Sequence, residues 1–244
     1  MTPGRFSFEL KTYELDFHGR IPVSVIYRFM QEAAEHDAVD RGFDTETLLR
    51  KNLTWVLVRM QMRFQDFPEG RQKIDVETWP SGMESRFAFR EFKLFAGRPK
   101  VPFAVASSTW LLIDTERQRP VQVAPFFDPS GHQRTEPMVA VRESDPAPAG
   151  EAVISKEFRV RLSDLDINNH VNNLHYVEWV VESAPETYWA GRTIREMDLL
   201  YKKQVKYDDT VRIETFPAAG GGFFHRMTSL KTTGGILVAR TLWT

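Results

Sequence analysis

The sequence predicts an α+β fold of two tandem modules, each an antiparallel sheet laid on one apolar helix. Three observations carry that prediction: the chain repeats itself, each copy runs strand, helix and then several strands, and a Pro- and Gly-punctuated stretch separates the copies. Phe158 to Ala184 aligns without gaps on Phe8 to Ala34, and Glu77-Thr78-Trp79-Pro80 matches Glu214-Thr215-Phe216-Pro217. Each copy also ends near a tryptophan, Trp110 and Trp243. Landmarks recurring in one order point to duplication of a structural unit.

The modules are expected at residues 1–128 and 151–244, with a linker at 129–150 where Pro129, Gly131, Pro137, Pro146, Pro148 and Gly150 interrupt a stretch poor in large apolar residues. In the first module Phe6 to Tyr13 reads as a strand. A helix starting at Pro22 follows, because Ile21, Val25, Phe29 and Ala33, with Ile26 and Met30 beside them, recur at helical spacing. Strands are expected over Leu53–Phe64, Lys73–Thr78, Arg86–Phe95 and Pro102–Ile113, all rich in aromatic and branched residues. The second module repeats the plan: a strand over Ala152–Leu162, a helix from about His170 to Ser183 stopped by Pro185, then strands over Met197–Tyr207, Thr210–Phe216, Phe223–Thr232 and Ile236–Leu242. Gly220-Gly221-Gly222 suits a turn with positive backbone dihedrals.

Composition narrows the function. The 244 residues are 42% hydrophobic, with 18 Phe and 6 Trp, enough for a sizeable core. The 32 basic and 33 acidic side chains give a net charge of −1, so no whole-molecule basic field exists for nucleic acid or anionic membrane. The absence of cysteine excludes disulfides, thiolate metal sites and a cysteine nucleophile. Met1-Thr-Pro-Gly-Arg-Phe lacks a basic stretch followed by an apolar run, and no segment has the apolar length of a membrane span, so a cytosolic protein is expected. No G-x-S-x-G elbow, P-loop or dinucleotide fingerprint is present, and His170 and His175 are off the spacing that lets two helical imidazoles share a metal. Neither cofactor nor metal is expected.

Asp166-Ile-Asn168-Asn-His170 is the candidate site. An acid, an amide and an imidazole at alternate positions of an extended turn can converge beside the first amides of the next helix. Asp166 could deprotonate water or attack directly, His170 could share the proton traffic, and Asn168 could position either. Amides around His170 to Asn172 would stabilise an oxyanion. The same residue types also suit a capping role alone. In the first module Asp16 matches Asp166, but His18 and Arg20 replace Asn168 and His170, so one active site per chain is expected.

The wider string Ser163-Asp164-Leu165-Asp166-Ile167-Asn168-Asn169-His170-Val171-Asn172-Asn173-Leu174-His175-Tyr176 resembles the second-half motif of the acyl-acyl-carrier-protein thioesterases. Gln31-Glu32-Ala33-Ala34-Glu35-His36, Leu53-Thr54-Trp55-Val56-Leu57 and Ser107-Ser108-Thr109-Trp110-Leu111-Leu112-Ile113-Asp114 look like its other landmarks. The resemblance implies a double hotdog fold and hydrolysis of the thioester between a fatty acyl chain and the phosphopantetheine arm of acyl carrier protein. It implies catalytic roles for Asp166, Asn168 and His170. The family's fourth residue, a Glu, falls on Gln204, and the next position, often Cys, is Val205. An amide cannot be a general base, although it can hold a water. Gln204 therefore leaves two readings, retained activity with Asp166 as the base or a non-catalytic acyl-binding protein; an acyl-CoA thioesterase is the further alternative.

If the second module holds the chemistry, the first is free to shape the acyl pocket. Ile26, Phe29 and Met30 on its helix and Trp55 and Met60 on the next strand are the candidate lining. Lys202, Lys203 and Lys206, with Arg59 and Arg63, form the candidate basic patch for an acidic carrier. Whether two copies pair into a homodimer is left open by the sequence.

Overall fold

Inward and outward side chains alternate along the opening strand of each half, Gly4–Glu9 (β1) and Ile154–Arg159 (β7), which puts Phe6 and Phe8, and later Phe158, on the helix side. The computed structural model describes residues 2–97, 101–124, 135–140 and 150–244. The chain divides into two units, Met1–Val141 and Arg142–Thr244, and the described residues form an α+β fold with antiparallel strand pairing.

In the first unit β1 leads into a 19-residue helix, Val23–Arg41 (α1). Pro22 opens it, and Gly42 closes it in the left-handed conformation at φ 73 that glycine adopts without a Cβ clash. A short helix, Thr45–Leu49 (α2), precedes Leu53–Phe64 (β2), Lys73–Glu84 (β3), Phe87–Ala96 (β4), Ala104–Asp114 (β5) and the two-residue Arg119–Pro120 (β6). The sheet order is β1-β3-β4-β5-β2, with β6 on β5. Ile26, Tyr27, Met30 and Ala33 of α1 are buried, and Phe29 stacks on Phe8 at 5.0 Å. Each large apolar side chain buried this way contributes roughly 1.5–3 kcal/mol. Strand β3 runs past the expected Thr78: Pro80 is accommodated by a register shift between Pro80 and Gly82, where a missing N–H does no harm.

The second unit has β7, a ten-residue helix Asn173–Glu182 (α3), a one-turn helix Glu186–Gly191 (α4), then Ile194–Tyr201 (β8), Thr210–Ala218 (β9), Gly222–Ser229 (β10) and Gly235–Trp243 (β11). Its sheet order is β7-β9-β10-β11-β8. Trp179 stacks on Phe158 at 5.7 Å, the counterpart of Phe29 on Phe8. Helix α3 is about half the length of α1, because Pro185 ends it and restarts the chain as α4. The strand expected to reach Tyr207 stops at Tyr201, and 202–206 follow no ladder. Gly220 and Gly221 make the expected positive-φ turn, at 72 and 81.

A buried polar chain locks α3 to its sheet. Trp243 Nε1 donates to Thr241 Oγ1 at 3.0 Å, and Thr215 Oγ1 donates to the Ser183 carbonyl at 2.9 Å. His225 bridges the two threonines at 3.0 Å on each side. Because the Thr215 proton goes to Ser183, the imidazole must donate from Nδ1 and accept at Nε2. Burial pushes its pKa down to about 3, so it is neutral.

Most of the 129–150 stretch lies outside the described residues, but residues 135–140 bind the first unit. The Thr135 N–H donates to the Ser81 carbonyl at 2.8 Å, the Met138 N–H to Glu91 Oε2 at 2.9 Å and the Val139 N–H to Ser107 Oγ at 2.9 Å. Gln61 Nε2 donates to the Ala140 carbonyl at 3.1 Å, and Val139 is buried. The Glu91 carboxylate beneath them also accepts from Ser81 Oγ at 2.7 Å and from Ser107 Oγ.

Candidate active site

The loop before each long helix is built the same way. In the second unit the Asp166 N–H donates to the His170 carbonyl at 2.8 Å, and the Asn169 N–H to the Asp166 carbonyl at 3.0 Å. In the first, Asp16 with Arg20 and Gly19 with Asp16 make these bonds at 2.8 and 2.9 Å. Position 169 needs the left-handed conformation, φ 60, which asparagine tolerates; glycine takes it at 19. The aspartate of each loop accepts main-chain N–H groups at Oδ1: Asn168 at 2.8 Å and His170 at 3.2 Å for Asp166, His18 at 2.9 Å and Arg20 at 2.8 Å for Asp16.

The loops differ at the second carboxylate oxygen. Asp16 Oδ2 faces Arg20 Nε at 3.6 Å, a paired charge. In the second unit His170 occupies the arginine position, and Asp166 has no ion pair among the described residues. The His170 ring is half-buried, and its Nδ1 is buried without a partner among the described residues. Burial holds His170 below the usual histidine range; Lys206 adds to this and Asp166 opposes it. A neutral imidazole beside a carboxylate with one oxygen pinned and the other unpaired can accept or relay a proton near neutral pH.

The expected oxyanion donors are engaged elsewhere. The His170 N–H goes to Asp166, the Val171 N–H to the Val205 carbonyl at 2.9 Å and the Asn172 N–H to the Asp164 carbonyl at 2.8 Å. The helix begins later than expected, at Asn173, capped by Asn172 Oδ1 accepting from the Leu174 N–H at 3.0 Å. Asn168 is exposed, and its side-chain amide is the donor the loop leaves to a ligand. Asp164, which sequence reasoning passed over, is buried and anchors the loop: its carboxylate accepts from the Arg161 N–H at 2.8 Å and from Arg161 Nε at 3.0 Å. Burial works against its charge, but the Arg161 bonds prevail and hold it below the usual carboxylate range. Its counterpart Glu14 binds the Lys11 N–H at 2.7 Å in the same way and pairs with Arg28.

Two family models match the chain, the acyl-ACP thioesterase N-terminal domain over residues 5–127 and the C-terminal domain over residues 148–243. The chain belongs to the acyl-ACP thioesterase family. It is 24% identical over 262 residues to a palmitoyl-acyl carrier protein thioesterase of Arabidopsis thaliana, with 98% of this chain and 63% of that protein covered. It is 23% identical over 257 residues to a dodecanoyl-[acyl-carrier-protein] hydrolase of Umbellularia californica, with 98% and 67% covered. The chain thus spans about three fifths of the length of the first of these curated relatives, 63%. Among solved structures, an acyl-ACP thioesterase from Bacteroides thetaiotaomicron superposes with a TM-score of 0.87 at 22% identity, covering 99% of this chain and 98% of that one. The 12:0-ACP thioesterase from Umbellularia californica superposes at 0.86 with 23% identity, covering 98% and 96%. This chain shares their fold.

Against that family background the remaining candidates fall in several places. Gln204 is exposed, next to the buried Val205 whose carbonyl receives the Val171 N–H. Ile26, Phe29 and Met30 are buried on α1, and Met60 is buried on β2. Trp55 stands apart from α1: it packs on the cluster of Leu48, Leu53, Leu112 and Val123, and its Nε1 donates to the Phe43 carbonyl at 3.2 Å. Lys202, Lys203 and Lys206 are exposed between β8 and β9. Arg59 and Arg63 share one face of β2 in the other unit, with Arg63 exposed and Arg59 half-buried. Among the described residues no helix is long and apolar enough to cross a membrane.

Proposed function

We propose that this chain hydrolyses the thioester between a fatty acyl chain and the phosphopantetheine arm of acyl carrier protein, releasing free acid and holo-carrier. The observation that carries the reading is the asymmetry of the two loops. Both keep the pinned aspartate, but the second replaces the neutralising arginine with a neutral histidine. Asp166, with His170, takes a proton from water as the water oxygen bonds to the acyl carbon. The Asn168 amide supports the oxyanion, and Gln204 holds the water. Collapse of the intermediate breaks the carbon–sulfur bond, and the proton passes to the departing thiolate. A thiolate leaves readily, so this modest activation suffices.

The architecture proposed with this chemistry is the double hotdog, two modules at 1–128 and 151–244 joined through 129–150. Ile26, Phe29, Met30, Trp55 and Met60 are the proposed acyl-binding set, and Lys202, Lys203, Lys206, Arg59 and Arg63 the proposed carrier-docking set. The repeated helix-on-sheet plan and the family membership support these assignments. A cytosolic location belongs to the same proposal, and cell fractionation tests it.

The deciding experiment measures thiol release from a panel of acyl-carrier thioesters beside the matching acyl-CoA esters. Faster release from the carrier esters is expected. Preference for CoA would move the substrate class, and tight binding of either without thiol release would make the chain an acyl-binding protein. Charge reversal at Lys202, Lys203 and Lys206 should raise KM for carrier esters and flatten its salt dependence, while a short carrier-free thioester is little affected.

A further inference from the structure

Residues 202–206 carry Gln204 and yet leave the sheet at Tyr201, so no ladder fixes them. Lys202 and Lys203 both donate their N–H groups to the Ile236 carbonyl, at 2.8 and 3.1 Å. The next anchor is Val205, which is buried and held on both sides. Its carbonyl accepts from the Val171 N–H at 2.9 Å, one residue past His170, and its backbone hydrogen-bonds the hydroxyl of Tyr176.

Tyr176 is itself immobilised. It is buried on the first turns of α3, and its ring meets Tyr201 edge-on at 5.6 Å and 82° and lies 5.7 Å from Trp179. The start of α3 is tied to the Asp166 loop through the Asn172 N–H on the Asp164 carbonyl and through pairing of Leu165 with Val171. One side chain thus connects the helix that frames the loop with the segment that carries residue 204. Its environment also touches the site electrostatically: the charge of Asp166 is felt at Tyr176, and that of Lys206 at His170. Burial pushes the phenol far above its usual range, so it is no proton donor in the reaction.

We propose that Tyr176 is a positioning residue for the hydrolysis, holding the main chain at Val205 so that Gln204 is set beside the Asp166–His170 loop. This rests on the hydrolase reading above. A side chain that only fills the core would stabilise the fold without singling out residue 204.

The test compares Tyr176→Phe, Gln204→Ala and the double variant with wild type. Phenylalanine keeps the ring contacts and removes only the hydroxyl. In Tyr176→Phe the exchange of the Val205 amide should quicken at least about tenfold, and kcat should fall about tenfold with KM within about twofold. In the double variant kcat should equal that of Gln204→Ala, because the hydroxyl acts through residue 204. Should Tyr176→Phe fold poorly, 3-fluorotyrosine at 176 keeps the hydroxyl as a weaker acceptor and should shift Val205 exchange in the same direction. Unchanged Val205 exchange, or losses that multiply in the double variant, would overturn the proposal. If wild type releases no thiol, the hydrolase reading fails by itself, and Val205 exchange still decides whether Tyr176 positions this segment.

Discussion

Asp166 Oδ1 accepts the main-chain N–H of His170 at 3.2 Å, so the acid fixes the backbone of the very residue whose ring stands beside it. The carboxylate is at once a loop cap and the candidate base. The matching bond from the Arg20 N–H to Asp16 Oδ1, at 2.8 Å, shows that the cap is common to both modules and the chemistry need not be.

Asp166→Asn keeps an acceptor at Oδ1 and removes the charge, so the loop should hold while turnover falls about a hundredfold or more. Asp166→Ala should add a stability loss of about 1 kcal/mol from the missing cap. Asp16→Asn should turn over at nearly the wild-type rate. Steady-state kinetics with thermal melting on the three variants separates the two roles, and an Asp16→Asn variant as inactive as Asp166→Asn would refute a single active site.

The pH profile follows from His170. Its pKa is lowered chiefly by burial and further by Lys206, so the neutral form persists below the ordinary histidine value. The acid limb of kcat/KM should therefore fall below a pH of about 6.5. Lys206→Gln removes a positive neighbour and should move that limb upward. A limb that stays fixed, or moves down, would separate Lys206 from the titration.

His225 predicts an acid-sensitive fold. Its folded pKa of about 3 lies below the unfolded value of about 6.5, so the unfolded chain gains the proton first. This contribution is complete above the unfolded value and is lost as pH falls towards 3, by about 1.4 kcal/mol per pH unit once the unfolded histidine is charged. His225→Gln should be less stable than wild type at neutral pH but show a shallower decline. Urea midpoints at several pH values between 7 and 4 measure both slopes.

Glu91→Ala should strip an acceptor from Ser81, Ser107 and the Met138 N–H at once. Each buried donor left unpaired costs about 1–3 kcal/mol, so a loss of several kcal/mol is expected, with faster protease cleavage around residues 135–140. Glu91→Gln should be milder, because it retains one acceptor oxygen.

Met30→Ala opens space in the buried face of α1, at a stability cost of about 2–5 kcal/mol. If α1 lines the acyl pocket, the preferred chain should lengthen, and Ala33→Phe should shorten it, since each buried methylene contributes roughly 0.8 kcal/mol. A chain-length profile unmoved in both variants would leave these side chains to the core alone.

Much of this was legible in the chain. The repeat, the bounds of β2 and the turn at Gly220-Gly221 follow from side-chain alternation and glycine placement, which are local properties. The family motif marked Asp166, Asn168 and His170 as a group. Less legible were the start of α3 and the end of β8. A helix start depends on which amides find partners, and those at 170–172 are claimed by Asp166, Val205 and Asp164, two of them through main-chain carbonyls that no side-chain pattern announces.

The sequence by itself determined that two related modules would form, that each would bury one apolar helix on a sheet, and that cysteine chemistry was closed to this protein. These follow from composition and period, which are written residue by residue. Only the tertiary structure decided that Asp16 is neutralised by Arg20 while Asp166 is not, that Val205 is clamped from α3, and that residues 135–140 lie over a buried Glu91. Each depends on atoms brought together from distant positions. Burial then sets how much a charge or an unpaired amide costs, and no local pattern encodes it.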